Sequence, residues 1–415
     1  MDGAEPTSDG GHLDGGEGQD AAGDGSVEAG DAASEASEAG TTYPAFAPDL
    51  PQIMNNGGAI LTHPLLVTVT WQGDPNASYY QAFGDGLGSS MYWNAAESSY
   101  GIGTASSGPS DHVTVPGIAP STLSSEDVVN LIVQSVEAAS WPAPTSDTMY
   151  LIYPPEGTTL ELGNEPFCGG AYHDSIPING VNVAYAAMAT CAGGTNGTTL
   201  AASHEIGEGS ADPFPSVTPA YLGYDQPHFA WLVMQAFQEE IADACEFYTS
   251  ARYDDTEPGF AFTVQRIWSN QSAALGHNPC QPADTPVYYN TTLLAPEDIT
   301  VDDHSQGGST QLATKGIRIL PGQTKTFPIG FYSDGPTSGP WTIIAHSQNP
   351  VATGTPANNG QMTVSLDNAT GQNGDVAHLT VTVTSAGDMN SELIVIESRL
   401  GVEASHFYPI LIGSQ

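Results

Sequence analysis

The middle of the chain, residues 45–283, carries strand-like and helix-like hydrophobic patterns in turn. Residues 60–71 alternate apolar and polar positions and are rich in β-branched side chains, which predicts a strand. Residues 125–139 predict a helix, because Ser124 and Asp127 match a capping box and four apolar residues share one face. Further strands are expected at 149–153 and 181–188, further helices at 199–210 and 228–245, and a poor, glycine-interrupted helix at 78–94. The order indicates an α+β domain.

The pattern changes near residue 286. From there to residue 415, short alternating runs are separated by turns rich in Gly, Pro, Asn and Asp, at intervals typical of an antiparallel, immunoglobulin-like β-sandwich. The predicted strands lie at 316–320, 326–332, 341–346, 379–384 and 393–397. We expect this domain, 286–415, to bind a substrate or a surface. The acidic loop at 298–308 is expected to be only a loop, with a bound cation as the alternative.

The first 44 residues form a third segment. Residues 1–42 contain 11 acidic and no basic residues, and little that is apolar beyond alanine. Such a segment buries too little apolar surface to offset the entropy lost on ordering. We therefore predict that residues 1–44 are a disordered acidic tether, with a calcium-collecting or partner-binding tail as the alternative.

Charge narrows the range of partners. The chain has 47 acidic residues but only 6 Lys and Arg, a formal charge of −41, and the first basic residue is Arg252. The extreme charge comes from missing cations, because the total share of charged residues is only 13%. A chain so poor in cations is not expected to bind nucleic acid or anionic membrane surfaces. No apolar run is long enough to predict a membrane-inserted helix, and the oligomeric state is not predicted.

Four cysteines indicate where the protein works. They match no metal-binding C-x-x-C spacing, and three pairings are possible. Cys168–Cys191 with Cys245–Cys280 is favoured, since each bond then closes a local loop. Two disulfides predict an oxidising compartment, and hence an extracellular or cell-surface protein. The alternative is four reduced, buried thiols.

One motif carries recognisable chemistry. Residues 203–213 include His204, Glu205 and Glu208 in the order H-E-x-x-E. On a helix, His204 and Glu208 face the same way and could bind Zn²⁺, while Glu205 points beside the metal, as a general base must. The zincin helix binds its metal with two histidines, in the order H-E-x-x-H. The motif here is a variant in which Glu208 replaces the second histidine. Gly207 and Gly209 count against a helix, because each destabilises it by ~1 kcal/mol relative to alanine. Glycines would be expected there if another element packs closely against the helix. The alternative is a solvated helix face.

A catalytic zinc site needs a third protein ligand. The acidic group Glu239, Glu240 and Asp243 lies on the next predicted helix, and the sequence does not choose among its members. Asp212 is nearer in sequence but is expected to end the motif helix. One imidazole with two carboxylates suits several divalent ions, so the predicted cofactor is Zn²⁺, with Ca²⁺ as the weaker candidate.

Two further histidines could act on a substrate. His173 lies beside the predicted Cys168 disulfide and His228 opens the following helix, so either could polarise a carbonyl. A histidine among aromatic residues is more often simply packed. The chain has no G-x-S-x-G elbow, no P-loop and no dinucleotide fingerprint.

Several short motifs occur in the order found in a known family. They are Gly57-Gly58-Ala-Ile-Leu, the strand 67–71, Cys168 to His173, a Val-x-Tyr-Ala strand before Cys191, Ser203 to Pro213, Glu240 to Cys245 and Val264 to Asn270. In the motifs up to Cys191 the chain resembles the plant EXORDIUM, or phosphate-induced, proteins, which lack the His-Glu motif. It is more similar to their bacterial secreted relatives, which also carry the last three segments, including His-Glu-x-x-Glu. The resemblance covers residues 45–283 and implies an extracytoplasmic protein.

Together these patterns predict a secreted or surface-anchored zinc metallohydrolase with a zincin-like α/β domain, and a peptidase is the favoured kind of hydrolase. Its expected substrate is a protein, a peptide or cell-wall material. The alternative is a non-catalytic extracellular or cell-wall binding protein whose acidic cluster is structural or holds calcium.

Overall fold

The computed structural model describes residues 42–163, 165–168, 170–191, 193–303, 309–352, 361–387 and 389–415. The described residues belong to one compact unit. The predicted tether lies outside them except for residues 42–44, as do residues 304–308 of the predicted acidic loop. The loop prediction is wrong for residues 298–303, which belong to a strand, Glu297–Asp303, paired with the strand that follows it. Within these ranges, no helix has both the length and the apolar character needed to cross a membrane.

The first part of the chain combines seven described helices with fourteen short strands. The helices are α1 (Ala77–Leu87), α2 (Met91–Glu97), α3 (Ser125–Glu137), α4 (Gly194–Ala211), α5 (Phe229–Met234), α6 (Asp243–Glu246) and α7 (Asn270–Leu275). The strands are β1 (Ile53–Asn55), β2 (Leu65–Trp71), β3 (His112–Val115), β4 (Thr122–Ser124), β5 (Thr148–Ile152), β6 (Thr159–Leu162), β7 (Glu165–Phe167), β8 (Ala171–Ile178), β9 (Val181–Met188), β10 (Tyr221–Tyr224), β11 (Arg252–Asp254), β12 (Thr263–Gln265), β13 (Ile267–Trp268) and β14 (Cys280–Gln281).

A five-stranded sheet organises this part, with the strand order β3-β2-β5-β9-β8. The first four strands are parallel, and β8 runs antiparallel to β9 at the edge. Alternate residues of β5 enter different apolar clusters: Met149 packs with residues of α1, α2 and α4, while Tyr150 packs with residues of α3. The sheet is therefore buried on both faces, as its continuous apolar strands predict.

Short-range sequence patterns predicted most of these helices and strands. The capping box is present, because Ser124 Oγ accepts from the backbone of Asp127 while the Asp127 carboxylate accepts from the backbone of Ser124. Residues 60–64 precede the strand instead of forming part of it. The weak helix expected at 78–94 is in fact two helices, α1 and α2. Glycines are accommodated in α1 because other segments approach closely: a Cβ on Gly84 would lie 2.9 Å from the Thr68 hydroxyl.

The second part of the chain forms two packed sheets. Its strands are β15 (Tyr289–Leu293), β16 (Glu297–Asp303), β17 (Thr310–Arg318), β18 (Thr324–Ser333), β19 (Trp341–His346), β20 (Gln361–Leu366), β21 (Thr370–Gly371), β22 (Val376–Ser385), β23 (Ser391–Arg399) and β24 (His406–Gly413). The sheet orders are β15-β18-β22-β20 and β16-β17-β24-β23-β19-β21. Every pair is antiparallel except β17 with β24, which departs from the wholly antiparallel prediction.

Aromatic side chains join the two parts. Trp231 of α5 meets Tyr408 of β24 at 6.2 Å between ring centroids, and Tyr248 stacks on Phe407 at 5.7 Å. One apolar cluster includes residues from both parts of the chain. The core therefore runs without interruption across the predicted boundary at residues 283–286.

Candidate metal centre

Helix α4 presents the motif from a buried position. His204 and Glu208 are one turn apart, and Nε2 of the histidine lies 3.0 Å from Oε2 of the glutamate. The two helix glycines permit close packing: a Cβ on Gly207 would overlap Cδ1 of Ile267, and one on Gly209 would lie 2.5 Å from Cε of Met149. Glycine therefore stands at these two positions where neighbouring side chains lie directly against the backbone of α4.

Asp243 is the acidic residue that joins His204 and Glu208. Its Oδ1 lies 3.7 Å from His204 Nε2, and the three side chains place one donor atom each within 4.8 Å of one another. Glu208 is fixed by its second oxygen, Oε1, which accepts from the backbone N–H groups of Ala242 and Asp243 at 3.1 Å. The same carboxylate thus orients the segment that delivers the third donor.

The prediction of one continuous helix at 228–245 is wrong. The chain forms α5, leaves the helix, and resumes it at α6, whose first residue is Asp243. Between them Ala236 and Phe237 adopt positive φ angles of 59° and 67°, which residues other than glycine seldom adopt. A contact spans this break: Gln235 donates its side-chain amide to the carbonyl of Ala244.

His173 reaches the cluster from the edge strand β8. Its Nδ1 lies 3.0 Å from Glu205 Oε2 and 3.9 Å from Glu208 Oε2, and its Nε2 lies 3.4 Å from Glu240 Oε1. The structure thus brings together six of the residues that the sequence nominated: His173, His204, Glu205, Glu208, Glu240 and Asp243. Gln265 was not singled out for a role. Its backbone N–H donates to Ser203 and its side chain to the carbonyl of Ala242, and it lies within the 264–270 motif.

An open cleft of about 710 Å³ leads to these side chains. Both histidines and the carboxylates of Glu205, Glu208, Glu240 and Asp243 line it, together with that of Glu246. No lysine or arginine is among the lining residues. The edge strand contributes Ala171 and Tyr172 to one wall. The cluster is therefore accessible to a small ion and to a larger substrate.

The spacing of the donors fits a divalent cation. Ligands ~2.1 Å from a tetrahedral zinc ion lie ~3.4 Å from one another. The observed separations of 3.0 Å and 3.7 Å from His204 Nε2 lie on either side of that value. An imidazole with two carboxylates is a donor set that zinc accepts, whereas Ca²⁺ prefers oxygen ligands alone.

Electrostatics also favour a cation here. Burial alone would lower the pKa of His204 and His173, but the neighbouring carboxylates outweigh it and raise both pKa values well above normal, Glu208 chiefly at His204 and Glu240 chiefly at His173. Burial raises the pKa of Glu208 and raises that of Asp243 to about 6. Positive charge is thus strongly stabilised within the cluster.

Three nominated residues lie elsewhere. Asp212 ends α4, where its Oδ1 accepts from the backbone of Ala220 at 2.8 Å, so its expected role as a helix terminator agrees with the structure. Glu239 is not part of either group of converging donors. His228 is bound between Asp49 and Asp225, with ring nitrogens 2.9 Å and 2.6 Å from their carboxylates; it does not line the cleft.

The cysteines pair as favoured, Cys168 with Cys191 and Cys245 with Cys280. The first bond lies just before β8, which carries His173, and the second holds α6, which carries Asp243. Two disulfides are typical of a protein that matures in an oxidising compartment, which supports an extracellular or surface location.

Comparisons with known proteins do not identify the chain. No family model matches it, and no curated protein matches it. Among solved structures, domains 4 and 5 of the S-layer protein SbsC share 15% identity over 40% of this chain and 93% of that chain, with a TM-score of 0.16. The structure of SbsC domains 1–6 shares 14% identity over 40% of this chain and 26% of that one, with a TM-score of 0.17. These comparisons assign no function to the chain.

Proposed function

We propose that the chain is an extracellular, divalent-metal-dependent hydrolase with a zincin-like α/β domain, and that it acts on peptides. One observation carries the proposal: His204, Glu208 and Asp243 converge at the floor of an open cleft. Zn²⁺ is the cofactor that this donor set favours.

Each residue has a distinct part. A cation at this position would polarise a substrate carbonyl and make a nearby water more acidic. Glu205 is next in sequence to His204 and lines the same cleft, where its carboxylate can accept a proton from water and pass it to the leaving amine. His173 holds that carboxylate in place from β8, through its Nδ1.

The position of β8 supports a peptide substrate. It is the outermost strand of its five-stranded sheet and forms one wall of the cleft. An outermost strand has one side on which an extended chain can pair by backbone hydrogen bonds. A peptide bound there would pass directly beside His173.

Metal content tests the proposal. Metal-free protein is given one equivalent of Zn²⁺, passed through a desalting column and measured by plasma mass spectrometry. We expect about one zinc per chain in the wild type, almost none in His204→Ala, and full retention in His378→Ala. The control removes a histidine that is half exposed on the sandwich and paired with Asp367.

Activity is measured next on a mixed peptide library. Glu205→Gln should keep its zinc but lose hydrolysis by about 10²- to 10⁴-fold, the usual contribution of a general base. Zinc retention that is equal in wild type and His204→Ala would refute the assigned ligands. No zinc in any protein would leave the non-catalytic binding protein as the better explanation.

A further inference from the structure

Two sets of donors, not one, meet in the cleft. The second consists of His173, Glu205 and Glu208, whose ligand atoms also lie within 4.8 Å of one another. Two of its separations, 3.0 Å and 3.9 Å from His173 Nδ1, again lie on either side of the ~3.4 Å expected around a tetrahedral ion. Glu208 belongs to both sets.

The second set is buried and incompletely satisfied. The His173 side chain is only 3% exposed. Within the described residues, its Nε2 and the nearby Oε1 of Glu240 are buried and have no hydrogen-bond partner, although they approach to 3.4 Å. Buried polar atoms are rarely left without partners. The surroundings of the ring are thus incompletely satisfied at Nε2. Nδ1, the nitrogen that belongs to the second set, faces the carboxylates of Glu205 and Glu208, where a cation would take the place of a ring proton.

Charge balance supports the same conclusion. The cleft lining supplies five carboxylates, those of Glu205, Glu208, Glu240, Asp243 and Glu246, and no lysine or arginine. With both imidazoles neutral, as metal binding requires, and the carboxylates ionised, one divalent cation leaves three negative charges uncompensated. A second divalent cation leaves only one.

We propose that the cleft has a second, weaker position for a divalent cation, formed by His173, Glu205 and Glu208. The inference rests on the proposed function, because Glu208 already serves the first position. It also has a regulatory consequence. Glu205 cannot hold a cation and accept a proton from water at the same time, so filling the second position inhibits hydrolysis.

Equilibrium dialysis of the full chain against increasing free Zn²⁺, with zinc measured by plasma mass spectrometry, tests this inference. The wild type should bind in two steps, first one and then two zinc ions per chain. His173→Ala should weaken the second step at least about tenfold, the order expected when support for a metal site is removed, and should keep the first. His204→Ala should lose the first, and His378→Ala should keep both.

A conservative variant guards against misfolding. Glu205→Gln keeps the size of the side chain but offers a poor ligand, so it should also lose the second step and keep the first. A single step that is lost in His204→Ala and unchanged in His173→Ala and Glu205→Gln would overturn the second position and leave the proposed function standing. No binding step at all would overturn both. A second step that persists in both variants would show adventitious binding and overturn the inference.

Discussion

His228 links three separate segments of the chain. Its ring lies between Asp225, in the same turn, and Asp49, ahead of β1, and Tyr408 of β24 donates to the other oxygen of Asp49 at 2.7 Å. Both ring nitrogens face carboxylates, so the protonated ring is the form that fits. Burial opposes that form, but the hydrogen bonds and charges of Asp225 and Asp49 outweigh it and raise the pKa of His228 to about 9.

The size of the effect follows from this pKa. The folded value of about 9 exceeds the ordinary 6.5, so the protonated ring stabilises the fold by about 3 kcal/mol. Because the folded pKa is the higher one, the stabilisation is complete below pH ~6.5 and is lost as the pH rises through ~9. His228→Gln removes the titrating group and nothing else that ionises.

Urea unfolding at pH 6 and pH 10 measures this contribution. We expect the difference in unfolding free energy between wild type and His228→Gln to shrink by about 3 kcal/mol between the two pH values. His378→Gln, at an exposed ion pair, should change stability by less than ~1 kcal/mol at either pH. A difference between wild type and His228→Gln that is the same at both pH values would refute the reasoning.

Two further predictions concern the packing beneath α4. Glu97 is buried with both oxygens unpartnered among the described residues, and burial, reinforced by the charge of Glu208, raises its pKa well above normal. Above pH ~4.3 the carboxyl ionises in the unfolded chain but stays protonated in the fold, so the free energy of unfolding of the wild type falls as the pH rises. Glu97→Gln, which cannot ionise, should therefore be more stable than wild type at pH 8 and nearly equal to it at pH 4.5, as measured by the urea midpoint. Gly207→Ala should destabilise by about 1–3 kcal/mol through overpacking, whereas Gly209→Ala, which meets only the flexible tip of Met149 at short range, should cost less; equal thermal shifts would contradict this ranking.

Short-range patterns predicted the parts of the site that depend on neighbours in sequence. His204 and Glu208 meet because four residues span one helical turn, and the α3 capping box forms within a single turn. Both disulfides close loops of fewer than 40 residues, with separations of 23 and 35. Local geometry alone was enough in these cases.

The remaining features depend on tertiary contacts. Nothing local marks the break after α5, because no glycine or proline stands where Ala236 and Phe237 take positive φ. The choice of Asp243 over Glu239 depends on that break and on the Glu208 carboxylate, 35 residues away in sequence, which accepts from its backbone. His173 reaches the cluster only because β8 takes the edge of the sheet.

The Cys245–Cys280 bond has a consequence for when the site can form. Cys245 stands two residues after Asp243, and its partner begins β14, which pairs with β13. Closing a loop with a separation of 35 residues removes roughly 4 kcal/mol of chain entropy from the unfolded state. A newly made chain in a reducing cytoplasm lacks that restraint on the segment that carries Asp243. The segment that carries Asp243 is therefore held in place more firmly under oxidising than under reducing conditions, and the arrangement of the candidate metal centre depends on the redox state in which the chain folds.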